Sequence, residues 1–391
     1  MMALDGILVL DVSRVGPGPY ATMLLADFGA RVIKVEDARQ GDDIRHLYHI
    51  NGIGAGHLVF NRNKESIGLN LKDPRGRQIF LDLAEKADVV LESFRPGVMD
   101  RLGVGYKDVQ KVNPEVIYCS ISGYGQDGPY RLRPGHDINY ASVAGMQGMT
   151  GMPDGTPVIP GFQIGDASGG MFAVLGTLLA LQARARTGKG QYLDVSMMDG
   201  TLHWLFEPLF QYLAAGHSPQ PGVERLSGGI PSYNIYRTKD GKYISLGILE
   251  PHFWRNFCQL LEREDLLEHQ SARGQAGDAA RAEIAAIFET RTLEEWTQKL
   301  EGAEVCWASV TDLDGTFDDP QVRHRQLLVD DYHPVAGKIR QLGMPIKLTD
   351  TPGTIRKPAP AHGEHTVALM KELGRTHQEA EALRDAGVVT F

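Results

Sequence analysis

Short apolar runs and amphipathic stretches alternate along the first two hundred residues. The runs Ile7–Val12, Arg31–Val35 and Val89–Glu92 predict buried strands. Between them, Tyr20–Phe28 and Gln78–Lys86 carry apolar residues at helical spacing. Strands that alternate with helices are typical of a parallel sheet with helices on its faces. The alternation continues through helix Tyr106–Asn113, strand Val116–Ile121, helix Met171–Ala185, strand Tyr192–Ser196 and helix Gly200–Ala214.

The pattern changes in the stretch Gly216–Gly229, where Pro, Gly and Ser are frequent, as at a domain boundary. Beyond it, Asp240-Gly241 between two apolar runs predicts a hairpin of Tyr233–Arg237 and Tyr243–Leu249. The later elements are helices Phe253–Glu262, Ala279–Glu289 and Leu293–Glu301, strand and connection Lys338–Leu348, and helices Thr366–Leu373 and Gln378–Ala386. We predict a large α/β domain of residues 1–222, completed by residues 330–391, and a small α+β domain of residues 223–329.

Composition and charge narrow the class of protein. The chain has 391 residues, of which 42% are hydrophobic and 23% charged, as expected for a soluble protein of about two domains. A net charge of −9 argues against nucleic acid or an anionic membrane as a partner. No apolar run comes close to the roughly 20 residues that a membrane span needs. The N-terminus lacks the features of a secretion signal, so we expect a cytoplasmic protein.

Cysteines and histidines give little sign of a metal. Cys119, Cys258 and Cys306 are scattered through apolar stretches and predict buried, reduced thiols. His362 and His365 are the nearest approach to paired ligands, but they lie in a segment rich in Pro, Ala and Gly. We therefore expect no metal.

Two Gly-flanked turns each place a titratable side chain just before an apolar, helical run. Arg133–Tyr140 contains His136 and Asp137, and Ile164–Gly170 contains Asp166. The N-terminus of a helix favours negative charge. A His and an Asp presented in this way could face one substrate carbon from opposite sides, one taking a proton and the other returning it. Each could instead be a helix cap or a turn residue, since Asp is a preferred cap.

The segment Gly16–Ala21 fits the glycine pattern of a dinucleotide-binding turn, and Glu36 ends the following strand. Pro17 and Pro19, however, lack the N–H groups that a pyrophosphate needs. Proline suits the first turn of a helix. We predict a helix start beside the active site and expect neither NAD nor flavin.

Eight segments, in order, carry a resemblance to a known family. They are Leu10–Pro19, Gly29–Glu36, Asn61–Lys64, Leu69–Lys72, Glu92–Gly97, Gly123–Pro129, Thr187–Gln191 and Gly363–Thr366. They are similar to the superfamily of family III CoA-transferases and α-methylacyl-CoA racemases. The resemblance implies an enzyme of CoA thioesters without a prosthetic group. It also implies an open Rossmann-like parallel sheet domain, a small α+β domain and an interlocked homodimer.

The resemblance also implies where coenzyme A binds. The contacts carry over to Leu69, Asn70, Leu71, Lys72, Ser93, Phe94, Arg95, Arg101, Gly135, Asp137, Ile138, Asn139 and Tyr140. Arg95 and Arg101 are suited to pairing with phosphates. The family commonly has Arg after the acid that ends the second strand. Here Asp37 stands in that position and Arg39 is the nearest arginine, so Arg39 is the candidate replacement.

Two further lysines, Lys34 and Lys64, could add positive charge near that site. As solvated surface lysines they would need no function.

Both branches of the superfamily use an Asp at the position of Asp166, as a nucleophile in transferases and as a proton-transfer group in racemases. His136 in Gly135–Tyr140 resembles the racemase pattern. Gly247–Phe253 resembles the racemase segment whose glutamate, here Glu250, hydrogen-bonds the catalytic histidine. The transferase's glycine run is not obvious, and Ser227–Ile230 is the nearest stretch. We expect a racemase or epimerase of 2-methyl- or 2-aryl-acyl-CoA. The alternative is a CoA-transferase with an acyl and CoA intermediate on Asp166.

The chemistry gives each residue a role. Burial would raise the pKa of Asp166 toward that of an effective acid. Glu250 would fix the tautomer of His136, unless it is a surface acid at the hairpin end. Amides of Asp166 and Ala167 could hold the enolate oxygen, and Asp137 could support the site or act as a cap. An apolar pocket or simply core could be formed by Met146, Met149, Met152, Met197, Met198 and Trp204.

Overall fold

The central sheet of the computed structural model, which describes residues 1–391, has seven strands. Six are parallel, and the last strand of the chain is antiparallel at one edge. The strands of the whole chain, in order, are β1 Leu8–Asp11, β2 Arg31–Asp37, β3 His49–Ile50, β4 Ile53–Gly54, β5 Lys64–Leu69, β6 Val89–Glu92, β7 Ile117–Ser122, β8 Gln191–Ser196, β9 Tyr233–Arg237, β10 Tyr243–Gly247, β11 Trp307–Val310, β12 Leu328–His333, β13 Gly337–Leu342 and β14 Val389–Thr390. The central sheet has the order β14-β5-β2-β1-β6-β7-β8. The predicted α/β class is therefore confirmed, with a mixed, mostly parallel sheet.

Helices cover both faces of this sheet. The helices of the whole chain are α1 Pro17–Asp27, α2 Ala55–Phe60, α3 Pro74–Ala84, α4 Val98–Leu102, α5 Tyr106–Val112, α6 Asp137–Val143, α7 Met146–Met149, α8 Ile164–Thr187, α9 Met197–His203, α10 Phe206–Ala215, α11 Pro251–Leu261, α12 Gly274–Phe288, α13 Leu293–Leu300, α14 Leu313–Asp318, α15 Pro320–His324, α16 Thr366–Glu372 and α17 His377–Asp385. The core on one face includes residues of α3, α16 and α17, and the core on the other includes residues of α1 and α8. Because the central strands are buried on both sides, they read as continuous apolar runs.

Two glycines bring α8 close to α1. A side chain at Gly170 would lie 2.9 Å from the Pro17 carbonyl oxygen, and one at Gly169 would lie 3.6 Å from the Pro17 ring. Only residues without a Cβ allow this approach. The close packing places the first turn of α8 beside the start of α1, at the carboxyl edge of the sheet.

Helix α8 corrects one expectation. With 24 residues and a mean hydropathy of 1.5 in its most apolar window, it is long and apolar enough to cross a membrane. The predicted helix, Met171–Ala185, was shorter because charged residues, Asp166, Arg184 and Arg186, lie near the ends of α8. Its buried face packs on α1, β7 and β8 as a core helix does. Its outer face leaves Met171, Leu175, Leu178 and Leu179 exposed.

The chain divides into two compact units. The first consists of residues 1–144, 162–204 and 324–391, and the second of residues 145–161 and 205–323. The second unit has its own antiparallel sheet, β11-β10-β9, and its own core around Trp254, Phe257, Phe288 and Trp296. The predicted hairpin is present, with Gly241 at φ +77° in the turn.

These boundaries differ from the predicted ones at residues 145–161, 205–222 and 324–329. The stretch predicted as one helix from Gly200 to Ala214 is broken between α9 and α10. Trp204 ends the first piece, and its indole N–H donates to the Ser168 hydroxyl oxygen on α8 at 2.8 Å. The chain leaves the first unit at this point.

Candidate active site

Asp166 is the third residue of α8 and is partly buried. Burial raises the pKa of its carboxyl group to about 6, and the negative charge of Asp137 adds to this effect. The positive charge of His136 acts in the opposite direction. The predicted acid therefore lies at a helix N-terminus and titrates near neutral pH.

Asp137 begins the neighbouring helix α6 but caps α8. Its carboxylate accepts hydrogen bonds from the backbone N–H groups of Gly165 at 2.6 Å and Asp166 at 3.0 Å. A carboxylate at this position satisfies free amides and is favoured by the helix dipole. Asp137 thus fixes the backbone that carries Asp166.

This cap overturns one predicted role. The Asp166 amide donates to Asp137, and the Ala167 amide donates to the Gln163 carbonyl oxygen at 3.0 Å. Neither amide is free to hold an enolate oxygen. The sequence could not reveal this, because the capping residue belongs to a different helix.

His136 is the exposed residue that immediately precedes α6. Its backbone N–H donates to the Asn139 side-chain oxygen at 3.0 Å, which stabilises the helix start. The Tyr140 hydroxyl donates to the Gly135 carbonyl oxygen, so the loop is closed over its own first turn. The structure thus brings His136, Asp137 and Asp166 together at two neighbouring helix starts. His136 precedes α6 as predicted, whereas the segment Ile164–Gly170, predicted as a turn before a helix at Met171, is itself the first part of α8.

The loop between β1 and α1 forms one wall of this site. Helix α1 begins at Pro17, as predicted. A side chain on Gly16 would come within 3.1 Å of the Asp166 Oδ2 atom. Val15 adopts the left-handed conformation, with φ at +65°. Its amide donates to the Asp42 carboxylate at 3.1 Å, which holds this strained turn in place.

Beneath that loop lies a buried charge cluster of Asp11, Lys34, Asp42 and Lys64. Lys34 contacts the Asp42 carboxylate at 2.8 Å, and Lys64 contacts the Asp11 carboxylate at 2.9 Å. Both lysine side chains are fully buried. The expectation of solvated surface lysines was wrong, because paired lysines can occupy the core where carboxylates meet them. The cluster holds the loop: Lys34 also donates to the Ser13 carbonyl oxygen at 3.0 Å.

A groove of about 290 Å³ lies at the carboxyl ends of β1, β2 and β5. The predicted residues that line it are Leu69, Asn70, Leu71, Lys72 and Phe94. In an open parallel sheet, this edge is where ligands bind. The sequence missed Arg14 as a groove residue. Its guanidinium group lies over the Phe94 ring at 5.9 Å and pairs with Asp43 at 2.7 Å.

The predicted arginines differ in their positions. Arg95 and Arg101 are exposed, on the segment before α4 and within it. Ser93, just before Arg95, accepts a hydrogen bond from the Arg14 amide at 3.0 Å. Arg39 is exposed and does not line the groove, whereas Asp37 does. A coenzyme A contact by Arg39 stays a prediction.

Glu250 belongs to the second unit, where it is exposed and precedes α11. Its predicted hydrogen bond to His136 would join the two units and stays a prediction.

In the histidine pair, the His362 ring meets the Asp37 carbonyl oxygen at 2.9 Å, and a His365 ring nitrogen accepts from the Ser66 amide at 3.2 Å. Both side chains are thus engaged with the backbone.

Comparison with known proteins identifies the family. The model of CoA-transferase family III matches residues 4–366, and the chain belongs to this family. The resemblance to this family that the eight short segments indicated is thereby confirmed.

Relatives of two activities are similar over nearly the whole chain. Succinyl-CoA:glutarate CoA-transferase of Mus musculus is 36% identical, covering 100% of this chain and 91% of its own. Alpha-methylacyl-CoA racemase of Homo sapiens is 33% identical, covering 99% and 98%. A crystal structure of a CAIB/BAIF family protein from Brucella suis superposes with a TM-score of 0.83 at 31% identity, covering 95% and 99%. Identity alone does not separate the two activities.

Proposed function

We propose that this protein is an acyl-CoA racemase or epimerase that inverts the α-carbon of a 2-methyl- or 2-aryl-acyl-CoA. The observation that carries the proposal is the presence of His136 and Asp166 at two neighbouring helix starts, near enough for the charge of His136 to lower the pKa of Asp166. A transferase needs only the aspartate, whereas inversion through a planar intermediate needs a proton-transfer group on each face of the carbon.

The reaction is a transfer of protons without a change of oxidation state. One of the two groups removes the proton from the α-carbon, and the electrons of the C–H bond pass to the thioester oxygen as an enolate. The other group then delivers a proton to the opposite face, and the carbonyl re-forms. Because the pKa of Asp166 is about 6, its acid and base forms are both accessible near neutral pH.

The thioester is proposed to lie with its nucleotide in the groove lined by Leu69–Lys72 and Phe94. The groove opens at the same sheet edge as the Asp166 carboxyl group. Arg95 and Arg101 are exposed within the segment Phe94–Leu102, which contributes three residues to the groove, and both could pair with phosphates. The segment Gly135–Tyr140 would contact the arm that carries the thioester. No prosthetic group is needed for this chemistry.

Two further parts of the proposal concern assembly. Glu250 would accept a hydrogen bond from His136 and favour its charged form, as a carboxylate does for a triad histidine. The exposed apolar residues of α8 support a homodimer, because a surface of this kind is expected to be covered by protein. Cytoplasmic location is likewise a proposal.

The second candidate is a CoA-transferase, which the 36% identity to a succinyl-CoA:glutarate CoA-transferase favours. In that reaction the Asp166 carboxylate attacks the thioester carbonyl and expels the CoA thiolate, which leaves an acyl anhydride on the enzyme. The thiolate then attacks the aspartyl carbonyl and releases the first acid. An acceptor acid finally takes the CoA by the reverse steps.

One experiment separates the two reactions. The enzyme is incubated in D₂O with a single 2-methylacyl-CoA epimer and no carboxylic acid, and α-deuteration and epimer formation are followed by NMR and chiral chromatography. We expect both in the wild type. His136→Ala and Asp166→Asn should each reduce them by about 10³-fold or more, within the range of lost acid–base catalysis. His217→Ala, which changes an exposed histidine of the second unit, is the matched control.

The opposite result is equally defined. If several branched and aryl thioesters show no α-exchange, but CoA moves to an added acid through a hydroxylamine-sensitive intermediate on Asp166, the racemase proposal is wrong. In that case His136→Ala should leave CoA transfer intact.

A further inference from the structure

Glu92 is a buried acid that the proposed reaction does not use. It is the last residue of β6, between β1 and β7, and only 4% of its surface is exposed. Its carboxylate accepts a hydrogen bond from the Phe94 backbone N–H at 2.6 Å. The Ser120 hydroxyl on β7 also donates to it. Both partners are uncharged, which is an uncommon environment for a buried carboxyl group.

The Phe94 amide lies within the segment Ser93–Arg95, which leaves the sheet edge to reach α4. Four hydrogen bonds hold this segment. The Ser93 hydroxyl accepts from the Arg14 amide at 3.0 Å and donates to the Arg14 carbonyl oxygen at 3.5 Å, and the Arg95 carbonyl oxygen accepts from the Val98 amide at 3.1 Å. The fourth is the bond to Glu92, which ties the Phe94 amide to the end of β6.

The Phe94 side chain packs against the core of the sheet, but cavities lie on both sides of the segment. The groove is lined by Phe94, Val98 and Leu102. A second cavity of about 260 Å³ is lined by Glu92 and Arg95 together with other residues, among them Met99 and Asp100 of α4. Met99 and Leu102 hold α4 against the core, and the hydrogen bonds of Ser93–Arg95 set the backbone that leads to it between the two cavities.

We propose that Glu92 is a positioning residue that holds Ser93–Arg95 in the conformation that binds the phosphates of coenzyme A. The inference rests on the proposed CoA site. It assigns to Glu92 no contact with the substrate and no part in proton transfer.

The charge on Glu92 adds a second, measurable property. Burial raises the pKa of its carboxyl group to about 7, Ser120 and the Phe94 amide oppose this, and Asp100 and Asp194 add to it. Besides these acids, the cavity that Glu92 lines also contains Arg95, Lys107, Tyr118 and Tyr192. The group can accept from Phe94 whether ionised or neutral. Ionisation, however, adds a negative charge to the cavity that Arg95 shares, which weakens attraction for phosphate.

The test compares Glu92→Gln, which keeps an oxygen acceptor of the same shape, with Glu92→Leu, which has none. Dissociation constants for CoA are measured by calorimetry at pH 6 and pH 8, and KM and kcat with the acyl-CoA substrate. At pH 6 we expect Glu92→Gln to bind CoA within about twofold of the wild type. Glu92→Leu should bind about tenfold more weakly, through KM and with kcat little changed. Glu115→Gln and Glu115→Leu, at an exposed glutamate, are the controls.

The pH comparison needs only the folded, conservative variant. From pH 6 to pH 8, the ratio of the wild-type dissociation constant to that of Glu92→Gln should rise about threefold, since titration of CoA itself cancels. A ratio that is equal at both pH values overturns the inference if Glu92→Leu does not fold. If it folds, wild-type affinity in Glu92→Leu, or an equal loss in both variants, overturns it. If the wild type itself does not bind CoA, the proposed function has failed instead.

Discussion

Two groups of carboxyl side chains near the same sheet edge have opposite properties. Asp11 and Glu36, on β1 and β2, are buried with cations. Burial by itself would raise the pKa of both groups. The hydrogen bonds and charge of Arg45 nevertheless lower the pKa of Glu36 to about 2, and the charges of Lys34 and Lys64 hold the pKa of Asp11 below its ordinary value. Glu92 and Asp166 are also largely buried, but burial raises their pKa to about 7 and about 6.

The difference shows how one edge serves two purposes. A buried carboxylate that is paired with a lysine or arginine side chain stays charged over the whole physiological pH range, and it can hold a loop in place. A buried carboxyl group without one exchanges its proton near neutral pH, as acid–base chemistry requires. The β1 and β2 side therefore fixes the loop before α1, while β6 and the start of α8 carry the groups that titrate.

Removing a carboxylate that is paired with cations should have the largest effect on the free energy of unfolding. Asp11→Asn leaves the buried Lys34 and Lys64 without their shared carboxylate. We expect a loss of about 3–5 kcal/mol in the free energy of unfolding, as for other broken buried ion pairs. Urea denaturation measures this. Asp108→Asn, which removes an exposed pair with Lys111, should cost less than about 0.5 kcal/mol. Similar losses in both variants would show that the cluster contributes no more than a surface pair.

A smaller effect is expected from the arginines at the groove. Arg95→Ala should weaken CoA binding about tenfold at low salt, because it removes a charge-assisted contact to phosphate. The loss should shrink at 0.5 M NaCl, where screening is strong. Arg39→Ala, at an exposed arginine that lines neither the groove nor the cavity that Arg95 lines, should change affinity by about twofold at most. Calorimetry at both salt concentrations measures the CoA affinity of the two variants. A larger loss of affinity in Arg39→Ala than in Arg95→Ala would indicate that the phosphates bind nearer to β2.

The smallest effect concerns stability against pH, and its sign differs between the two groups. The folded-state pKa of Asp166 is raised, so its contribution is present below pH 4 and is lost as the pH rises past 6. Asp166→Asn should therefore raise the melting temperature by about 2 °C at pH 8 and not at pH 4.

The folded-state pKa of Glu36 is lowered, so its contribution is present above pH 4.5 and is lost as the pH falls through 2. Glu36→Gln should lower the melting temperature at pH 8, since it breaks the pair with Arg45 at 2.6 Å. Calorimetry at both pH values measures the two variants together. The same sign in both would contradict the contrast between paired and unpaired acids.

Much of the fold followed from periodicity, and its failures have a physical pattern. The bounds of β6 agree with the prediction, and those of β1 and β7 agree to within one residue. The strand β5 was missed because it begins Lys64-Glu65-Ser66, which reads as surface sequence. Its buried polar side chains are accepted in the core because Lys64 pairs with Asp11 on β1 and Ser66 donates to Glu36 on the adjacent strand β2.

The candidate site shows the same division. The glycines around His136 and Asp166 were sufficient to predict helix starts there, since that signal is local, although Ile164–Gly170 is helical and not the predicted turn. That Asp137 caps α8, or that Glu92 bonds the Phe94 amide from a cavity wall, depends on tertiary neighbours. No periodicity in the chain encodes such contacts.

The edge strand β14 has a consequence for synthesis. It pairs Val389 with Leu69 and so completes the sheet beside the groove with residues made about 320 positions later. At roughly 5–20 residues per second, the ribosome releases β14 some tens of seconds after β5. During that interval the hydrogen-bonding edge of β5 is open, and such edges recruit other strands. A nascent chain of this protein should therefore be prone to pair β5 with other strands until Val389 and Thr390 emerge.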